Sequence, residues 1–291
     1  MSRLDILCAG RIYADLIFTG VAGEVQQGRE VFADGLAVAA GGGALITACR
    51  AAGQGLSAGV LGIAPVPPFD RVARAALGDH GVADHLAPAA PGSEPQLTVV
   101  VVQGTERAFL TRRPGPALPV PIRLPAARHL HIGELATALE HRDLIPLARA
   151  AGMSVSLDCG WDEAAFTTSG IAEIVASVDV FLPNAAEAER LAAQDIPLRP
   201  RHCLVTKRGA AGATASGPAG RAEAPSRPVE VIDTTGAGDA FNAGFLAGWL
   251  GGRPLADSLV AGNAAGADAV GRIGGVGSPR SETLGAGRAV S

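Results

Sequence analysis

Short apolar runs separated by glycine-rich or polar turns recur along the chain, and their spacing changes character partway. Residues 5–10 read as a strand that enters a loop at Gly10, with a second apolar run over 12–18. Gly41-Gly42-Gly43 precedes a predicted helix over 44–52, and 57–62 is the next strand. The runs 97–102 and 107–110, joined by the turn 103–106, predict a β-hairpin. Beyond the hairpin, strands and helices alternate. Strands are predicted at 129–132, 155–157, 180–182 and 202–206, and helices at 136–151, 171–177 and 185–193. Two short strands flank 217–220, and 229–232 reads as one more. Helices over 240–250 and 255–270 complete the pattern, and 271–291 reads as a loosely ordered tail.

Repeated strand–helix units imply a parallel sheet with helices on both faces. Such sheets hold ligands beyond the carboxyl ends of their strands. Asp15, Asp158, Asn184, Lys207 and the segment 233–239 all fall at such ends. No internal repeat or long linker interrupts residues 1–291, which are expected to form a single domain.

Composition narrows the picture. Apolar residues make up 48% and charged residues 18%, which excludes a chain disordered throughout. Aromatics are only 4%, so the core has to be built from Ala, Val, Leu and Ile. The 39 glycines and 20 prolines follow no three-residue period, which excludes a collagen-like helix. With a net charge of −4 and no basic run, no nucleic-acid partner is expected. No apolar stretch approaches the roughly 20 residues of a membrane helix, so no membrane partner is expected. The first residues carry no signal-peptide pattern. Cys8, Cys49, Cys159 and Cys203 are too far apart in sequence to suggest a zinc or redox pair, and a reduced, cytoplasmic protein is the simplest expectation. Of the 24 basic residues, Lys207 alone is lysine. That matches an Ala-, Gly- and Arg-rich composition, and it tests every nucleotide-binding scheme that requires a lysine.

The segment Asp233-Thr234-Thr235-Gly236-Ala237-Gly238-Asp239 runs directly into an apolar helix. Its glycines permit backbone conformations barred to other residues and a close approach to a ligand. Amides at a helix start point outward, where the dipole favours an anion. A carboxylate at Asp239 suits a general base that takes a proton from a hydroxyl as phosphate arrives. Taken alone, Gly-x-Gly-Asp is also an ordinary helix start with an acid in its first turn.

The full string resembles the signature of the ribokinase-like (phosphofructokinase B) carbohydrate kinases. Gly41-Gly42-Gly43-Ala44 is similar to the family's N-terminal glycine pair, and Pro183-Asn184-Ala185-Ala186-Glu187 to its Asn-x-x-Glu motif. Val205-Thr206-Lys207-Arg208-Gly209-Ala210-Ala211-Gly212-Ala213 resembles its nucleotide-binding strand and turn, and Asn263-Ala264-Ala265-Gly266-Ala267 the late helix beside the adenine. The resemblance covers nearly the whole chain. It implies an α/β fold: a ribokinase-like three-layer sandwich with a central, mostly parallel sheet and a small β lid built from about 12–38 and 94–115. It implies an ATP-dependent sugar kinase that transfers the γ-phosphate to a sugar hydroxyl. Asp239 would be the base, and the Gly236, Ala237 and Gly238 backbone the anion hole. Asp15, Gly42 and Gly43 would bind the sugar. Asn184, Thr206, Lys207, Gly209 and Asn263 would line the nucleotide site. Asn184 and Glu187 would help place Mg2+ and phosphates, and Asp233 and Thr235 would carry oxygens for a K+ ion. Lid strands often pair between subunits in this family, which implies a homodimer.

Three departures accompany the match. Ile46 stands where the family usually carries asparagine. Ala64-Pro65-Val66-Pro67-Pro68 replaces a common Gly-Asp-Asp. Ala185-Ala186 removes a frequent acid from the Asn-x-x-Glu motif. The first two lie on the sugar side and leave open a nucleoside kinase on the same fold. A catalytically silent sugar-binding protein is a third reading, which the intact Asp239 opposes.

Other local patterns stay ambiguous. His141-Arg142-Asp143 and Asp158-Cys159-Gly160 imitate protein-kinase motifs, but Ala148 replaces the needed asparagine and no lysine lies upstream. Arg208 after Lys207 excludes a P-loop. His129, His131 and Glu134 suggest either a metal cluster or ordinary packing. Asp158 is either a phosphate- or magnesium-side acid or a turn cap, and Asp15 a sugar ligand or a turn acid. Lys207 is a nucleotide contact or an exposed turn residue. Arg107, Arg112 and Arg113 are expected on a solvated lid, with an acidic or phosphorylated substrate as the alternative.

Overall fold

The computed structural model describes residues 3–277, apart from 104, 105, 219 and 273. The chain opens with β1 (Leu4–Ala9), β2 (Tyr13–Val21), β3 (Ala33–Gly41), α1 (Gly43–Gly53), β4 (Ala58–Ile63), α2 (Asp70–Asp79) and β5 (Ala83–Ala87). The hairpin follows as β6 (Leu97–Gln103) and β7 (Glu106–Arg112). Next come β8 (Ala127–Ile132), α3 (Leu135–Glu140), α4 (Leu144–Ala150), β9 (Ser154–Asp158), α5 (Glu163–Phe166), α6 (Ile171–Ser177), β10 (Val180–Leu182) and α7 (Ala185–Ala192). The chain then forms β11 (Cys203–Lys207), β12 (Ala213–Gly217), β13 (Gly220–Ala224), α8 (Ala237–Leu250) and α9 (Leu255–Val270).

Among the described residues, nine strands form one sheet in the order β13-β12-β11-β10-β9-β8-β1-β4-β5. From β11 to β5 every pairing is parallel, and β12 and β13 add an antiparallel edge. Strand alternation divides the interior in two. Ile6 and Cys8 face a core shared with α1 and α8, while Leu7 and Ala9 face one shared with α3, α4 and α6. Helices therefore cover both faces, and the architecture is a three-layer α/β sandwich. A second, four-stranded sheet in the order β3-β2-β6-β7 stands apart from it.

β1 lies between β8 and β4, so strand order reverses there. Sheets of this kind open a crevice beyond the strand ends at such a reversal. The crevice is narrow because backbones meet in it. A Cβ on Gly133 would lie 2.5 Å from the Ala44 amide nitrogen, and one on Gly10 would lie 3.1 Å from the Ala44 Cβ. Glycine at the ends of β1 and β8 thus lets α1 start directly against the sheet.

Four expectations need correction. The single helix over 136–151 is two helices, broken at 141–143. Pro146 lacks the N–H that a continuous helix would direct to the Arg142 carbonyl, and its ring would collide with that carbonyl. The strand over 229–232 does not form. Its backbone donors turn elsewhere: Ile232 and Asp233 donate to the Val270 carbonyl at the end of α9 instead of to a strand. α2, β5 and α5 were not anticipated. Of the expected loose tail, residues 274–277 are anchored: Gly274 donates to Asp233 and the Gly275 carbonyl accepts from Arg50; residues 278–291 lie outside the described residues.

Phe245 is fully buried on α8, the helix that begins at the glycine-rich turn. Phe245→Ala is expected to lower stability by about 3–5 kcal/mol, read from the urea midpoint by circular dichroism.

Candidate active site

The first turn of α8 follows a left-handed Gly236 (φ 70°), which offers no side-chain cap to the helix amides. Glycine is required there twice. The conformation disfavours a side chain, and a Cβ would lie 2.6 Å from the Gly275 Cα and 3.1 Å from the Ile46 Cγ2. Ile46, one of the departures, is therefore a packing residue beneath this turn. Asp239 is the third residue of α8, where a carboxylate is favoured by the helix dipole. Its Oδ1 lies 2.9 Å from where a Gly43 Cβ would be, so the glycine run before α1 and the acid on α8 share one space.

Lys207 lies beneath the same turn. Its Nζ donates to both oxygens of Asp158, at 2.8 and 3.0 Å, and to Asn242 Oδ1 at 3.3 Å. Asn242, fully buried, donates its amide to Asp158 Oδ2 at 2.6 Å, and the Cys159 amide donates to Asp158 Oδ1. The ammonium is 3.4 Å from where a Gly238 Cβ would stand. Lys207 is thus neither a solvated turn residue nor directed outward. Burial opposes its charge, but Asp158 and Glu187 outweigh burial and hold its pKa above the ordinary lysine value. The same surroundings act on the acids. Burial, then the charge of Asp158, pushes Asp239 up to about 7, with Lys207 acting against the shift. Burial and Asp158 likewise raise Glu187.

Asn184 and Glu187 form a reciprocal capping box at the start of α7. The Glu187 amide donates to Asn184 Oδ1 at 2.9 Å, and the Asn184 amide to Glu187 Oε2 at 2.8 Å. Lys207 and Asn184 are bridged backbone neighbours, so strand pairing brings this cap beside the lysine. Thr206 lies opposite Thr214 one residue before the end of β11, and Gly209 (φ 55°) opens a short turn with open space beside it. Asn263, on α9, donates to the Ala224 and Pro225 carbonyls and so fastens the end of β13.

On the other side, β2 places Asp15 opposite Thr98 of β6 and Ala39 of β3. Asp15 is buried, and burial raises its pKa to about 6 against a hydrogen bond from Thr98, with Asp233 adding to the rise. A Cβ on Gly41 would collide with its carboxyl group. Gly42 (φ 99°) lies against the Arg11 carbonyl. Beyond lies a cavity of about 480 Å³ between the two sheets, lined among others by Tyr13, Thr111, Arg113, Glu134 and Trp161. Arg113 is paired with Asp162 there, and Arg112 with Glu94. Glu134 Oε1 accepts from Thr137.

Asp233 is buried, and its Oδ1 accepts from the Thr235 amide at 2.6 Å. Arg107, expected on a solvated surface, has a nearly buried side chain 3.0 Å from Asp233. His129 and His131 are buried and bonded to Ser154 and Ser156, which is packing. Among the described residues no three His, Cys, Asp or Glu side chains converge to hold a metal directly. The four cysteines are buried and unpaired, and no described helix is long and apolar enough to cross a membrane.

The structure thus gathers Asp15, Gly42, Gly43, Asp158, Glu187, Lys207 and 236–239 around one crevice. Sequence reasoning missed Asn242, although it is the one polar amide in the apolar run 240–250 and therefore needed a buried partner. It also missed the inward turn of Lys207 and the Arg107–Asp233 pair, which have no local signal.

Solved structures share the fold. The nucleoside kinase of Methanocaldococcus jannaschii aligns with a TM-score of 0.79 at 20% identity over 96% of each chain. Ribokinase of Arabidopsis thaliana, solved with ribose and ATP, aligns with a TM-score of 0.77 at 21% identity over 94% of this chain and 95% of that one. An uncharacterized sugar kinase of Archaeoglobus fulgidus is 36% identical over 130 residues, 42% of this chain and 51% of the relative. Fructoselysine 6-kinase of Shigella flexneri is 33% identical over 133 residues, 44% of this chain and 49% of the relative. The matched segments span about half the length of these curated relatives. The profile of the pfkB family of carbohydrate kinases matches residues 4–282, and with the glycine-rich turn, the acid in the first turn of α8 and the sheet order described above, the chain belongs to that family.

Proposed function

We propose that the chain is an ATP-dependent kinase that phosphorylates a hydroxyl of a small sugar or sugar-like polyol. The observation that carries this reading is the position of Asp239, in the first turn of a helix whose start has no side-chain cap and in the same space as the glycine run before α1; burial pushes its pKa up to about 7. Asp15 and the neighbouring glycine backbone would hold sugar hydroxyls. The four-stranded sheet would act as a lid over them and exclude water. The alcohol gives its proton to Asp239 while its oxygen attacks the γ-phosphorus in line. The bond from that phosphorus to the β–γ bridging oxygen breaks, and ADP leaves. The backbone of Gly236, Ala237 and Gly238 would receive the charge of the moving phosphoryl group, with the Lys207 ammonium just beneath.

The donor set fits a magnesium ion held by the nucleotide's own phosphates and by water, with Glu187 and Asp158 acting at one remove. Magnesium would supply neutralisation of phosphate charge. Asn184, Thr206, Gly209 and Asn263 would border the nucleotide. Of those, Asn263 would act through the loop it fastens, since its amide is already engaged.

A nucleoside acceptor is the second reading. Tyr13 and Trp161 line the cavity, where a flat base could stack. A cytidine kinase of Thermococcus kodakarensis is 36% identical over 97 residues, 30% of this chain. ADP release measured with sugars, polyols and nucleosides as acceptors separates the two readings.

Asp239→Asn is expected to retain ATP binding by calorimetry and to lose turnover by about two orders of magnitude or more; near-normal turnover would refute the base assignment. The base works deprotonated, so kcat should rise with pH through about 7, not through the ordinary aspartate range near 4. Lys207→Met removes the cation that opposes this shift, so the acid limb of the kcat–pH profile should move upward. Glu187→Gln removes a carboxylate that adds to the shift, so it should move the limb downward.

Leu36, Val38 and Leu110 are exposed on one face of the second sheet, and Phe32 is exposed beside it. We propose that they pair two copies as a homodimer. Light scattering in solution is expected to give twice the chain mass, and Leu110→Glu with Leu36→Glu is expected to halve it.

A further inference from the structure

Arg107 projects from β7 of the second sheet onto the segment that leads into α8. Its Nη1 lies 3.0 Å from Asp233 Oδ1 and also reaches the Thr234 hydroxyl, while Nη2 donates to the Ile232 carbonyl at 3.2 Å. The side chain is 5% exposed and that of Asp233 is 4% exposed. This is a desolvated pair, unlike the exposed Arg112–Glu94 bridge on the same strand. Desolvated pairs hold geometry strongly, because removing one partner leaves the other charge buried and uncompensated.

Asp233 is also the hub of its own segment. Oδ1 accepts from the Thr235 amide at 2.6 Å, and Oδ2 from the Gly274 amide at 2.7 Å. Gly275, the next residue, packs against Gly236, and its carbonyl accepts from Arg50 Nε at 2.8 Å. The glycine turn is therefore held from behind by the 274–275 segment and from the front by Arg107. Both oxygens of Asp233 are engaged, and a guanidinium lies against one of them. Of the two side chains that could carry oxygens for potassium, that leaves only Thr235, whose buried Oγ1 has no partner and no charge. That set does not fit a potassium ion.

We propose that Arg107 is a positioning residue that takes the place of a monovalent cation at Asp233. It latches the second sheet to the 232–236 segment, so that the amides of 236–238 are set for a phosphoryl group only while that sheet is seated over the crevice. Two consequences follow for this chain. The turn is ordered by a side chain from the element that covers the substrate, which couples covering to catalysis. No dependence on potassium arises, because the charge is built in.

The test uses the full-length chain and Arg107→Ala, Arg107→Lys, Asp233→Asn and the Arg107→Ala/Asp233→Asn double variant. Hydrogen exchange by mass spectrometry of the ligand-free proteins is expected to show faster exchange over 232–237 in Arg107→Ala, with the strands of the nine-stranded sheet unchanged. Arg107→Lys, which keeps the charge, should fall between it and the unaltered chain. The double variant should exchange no faster than Arg107→Ala, since the two side chains act as one pair. Potassium chloride, compared with tetramethylammonium chloride, should leave Tm of the unaltered chain in place and raise that of Arg107→Ala. In turnover, which rests on the proposed kinase reading, Arg107→Ala should lower kcat about tenfold or more and change KM for ATP by less than about threefold. Unchanged exchange over 232–237 in Arg107→Ala, or a potassium-raised Tm in the unaltered chain, would overturn the proposal. Should no acceptor be phosphorylated by the unaltered chain, the kinase reading fails, and exchange and Tm still decide the latch.

Discussion

Three carboxyl groups, those of Asp158, Glu187 and Asp239, crowd a space that most of the chain keeps apolar, and one ammonium group lies among them. Burying several like charges is costly unless an opposite charge and hydrogen bonds accompany them. Lys207 supplies the charge, and Asn242 and the Cys159 amide supply the remaining bonds to Asp158. The compensation is incomplete, and the raised pKa of Asp239 and Glu187 measures the deficit. Such a deficit is a property of reactive sites more than of structural ion pairs. It also explains a compositional oddity. In a chain that otherwise uses arginine, this position takes the compact ammonium, whose donors reach Asp158 and Asn242 together.

The placement of these groups depends on how closely the backbone can approach itself. At the reversal of strand order, Gly10, Gly43 and Gly133 allow α1 to begin against the ends of β1 and β8. α1 in turn packs along α8, with Ile46 beneath Gly236 and the Thr47 hydroxyl donating to the Asp239 carbonyl at 3.4 Å. Asp239 is thus set by small residues that leave room and by aliphatic ones that fill what remains. A core with few aromatics suits this arrangement, because Ala-rich helices can lie close to a sheet and to each other. Ala243 and Gly244 on α8, with Ala261 and Ala265 on α9, show the same closeness.

The second sheet differs in kind. It carries part of its apolar surface outward, while Ile17, Ala40 and Val100 on its strands are buried. It is also joined to the central body by a buried polar contact, the Arg107–Asp233 pair. A buried ion pair has strict geometry, so this contact ties the position of the sheet to that of the segment before α8.

Local order was legible in the sequence where a single physical rule acted alone. The alternation on β1, the hairpin β6–β7, the helices over 171–177 and 255–270 and the glycine-rich start of α8 follow from periodicity and backbone freedom. Where two rules competed, the reading failed. Pro146 overrode helical periodicity, the end of α9 took the donors at the end of 229–232, and the short polar β5 depended on having an edge to pair with. The site divides the same way. Asp239 and its glycines announce themselves because they are adjacent along the chain. Lys207 with Asp158 and Asn242, Arg107 with Asp233, and the burial that raises the acids' pKa join residues 35 to more than 100 positions apart. Sequence specified which groups were present and which turns could hold them. Only the tertiary structure decided which charges were brought together and stripped of water, because that depends on the distances between elements that no local pattern records.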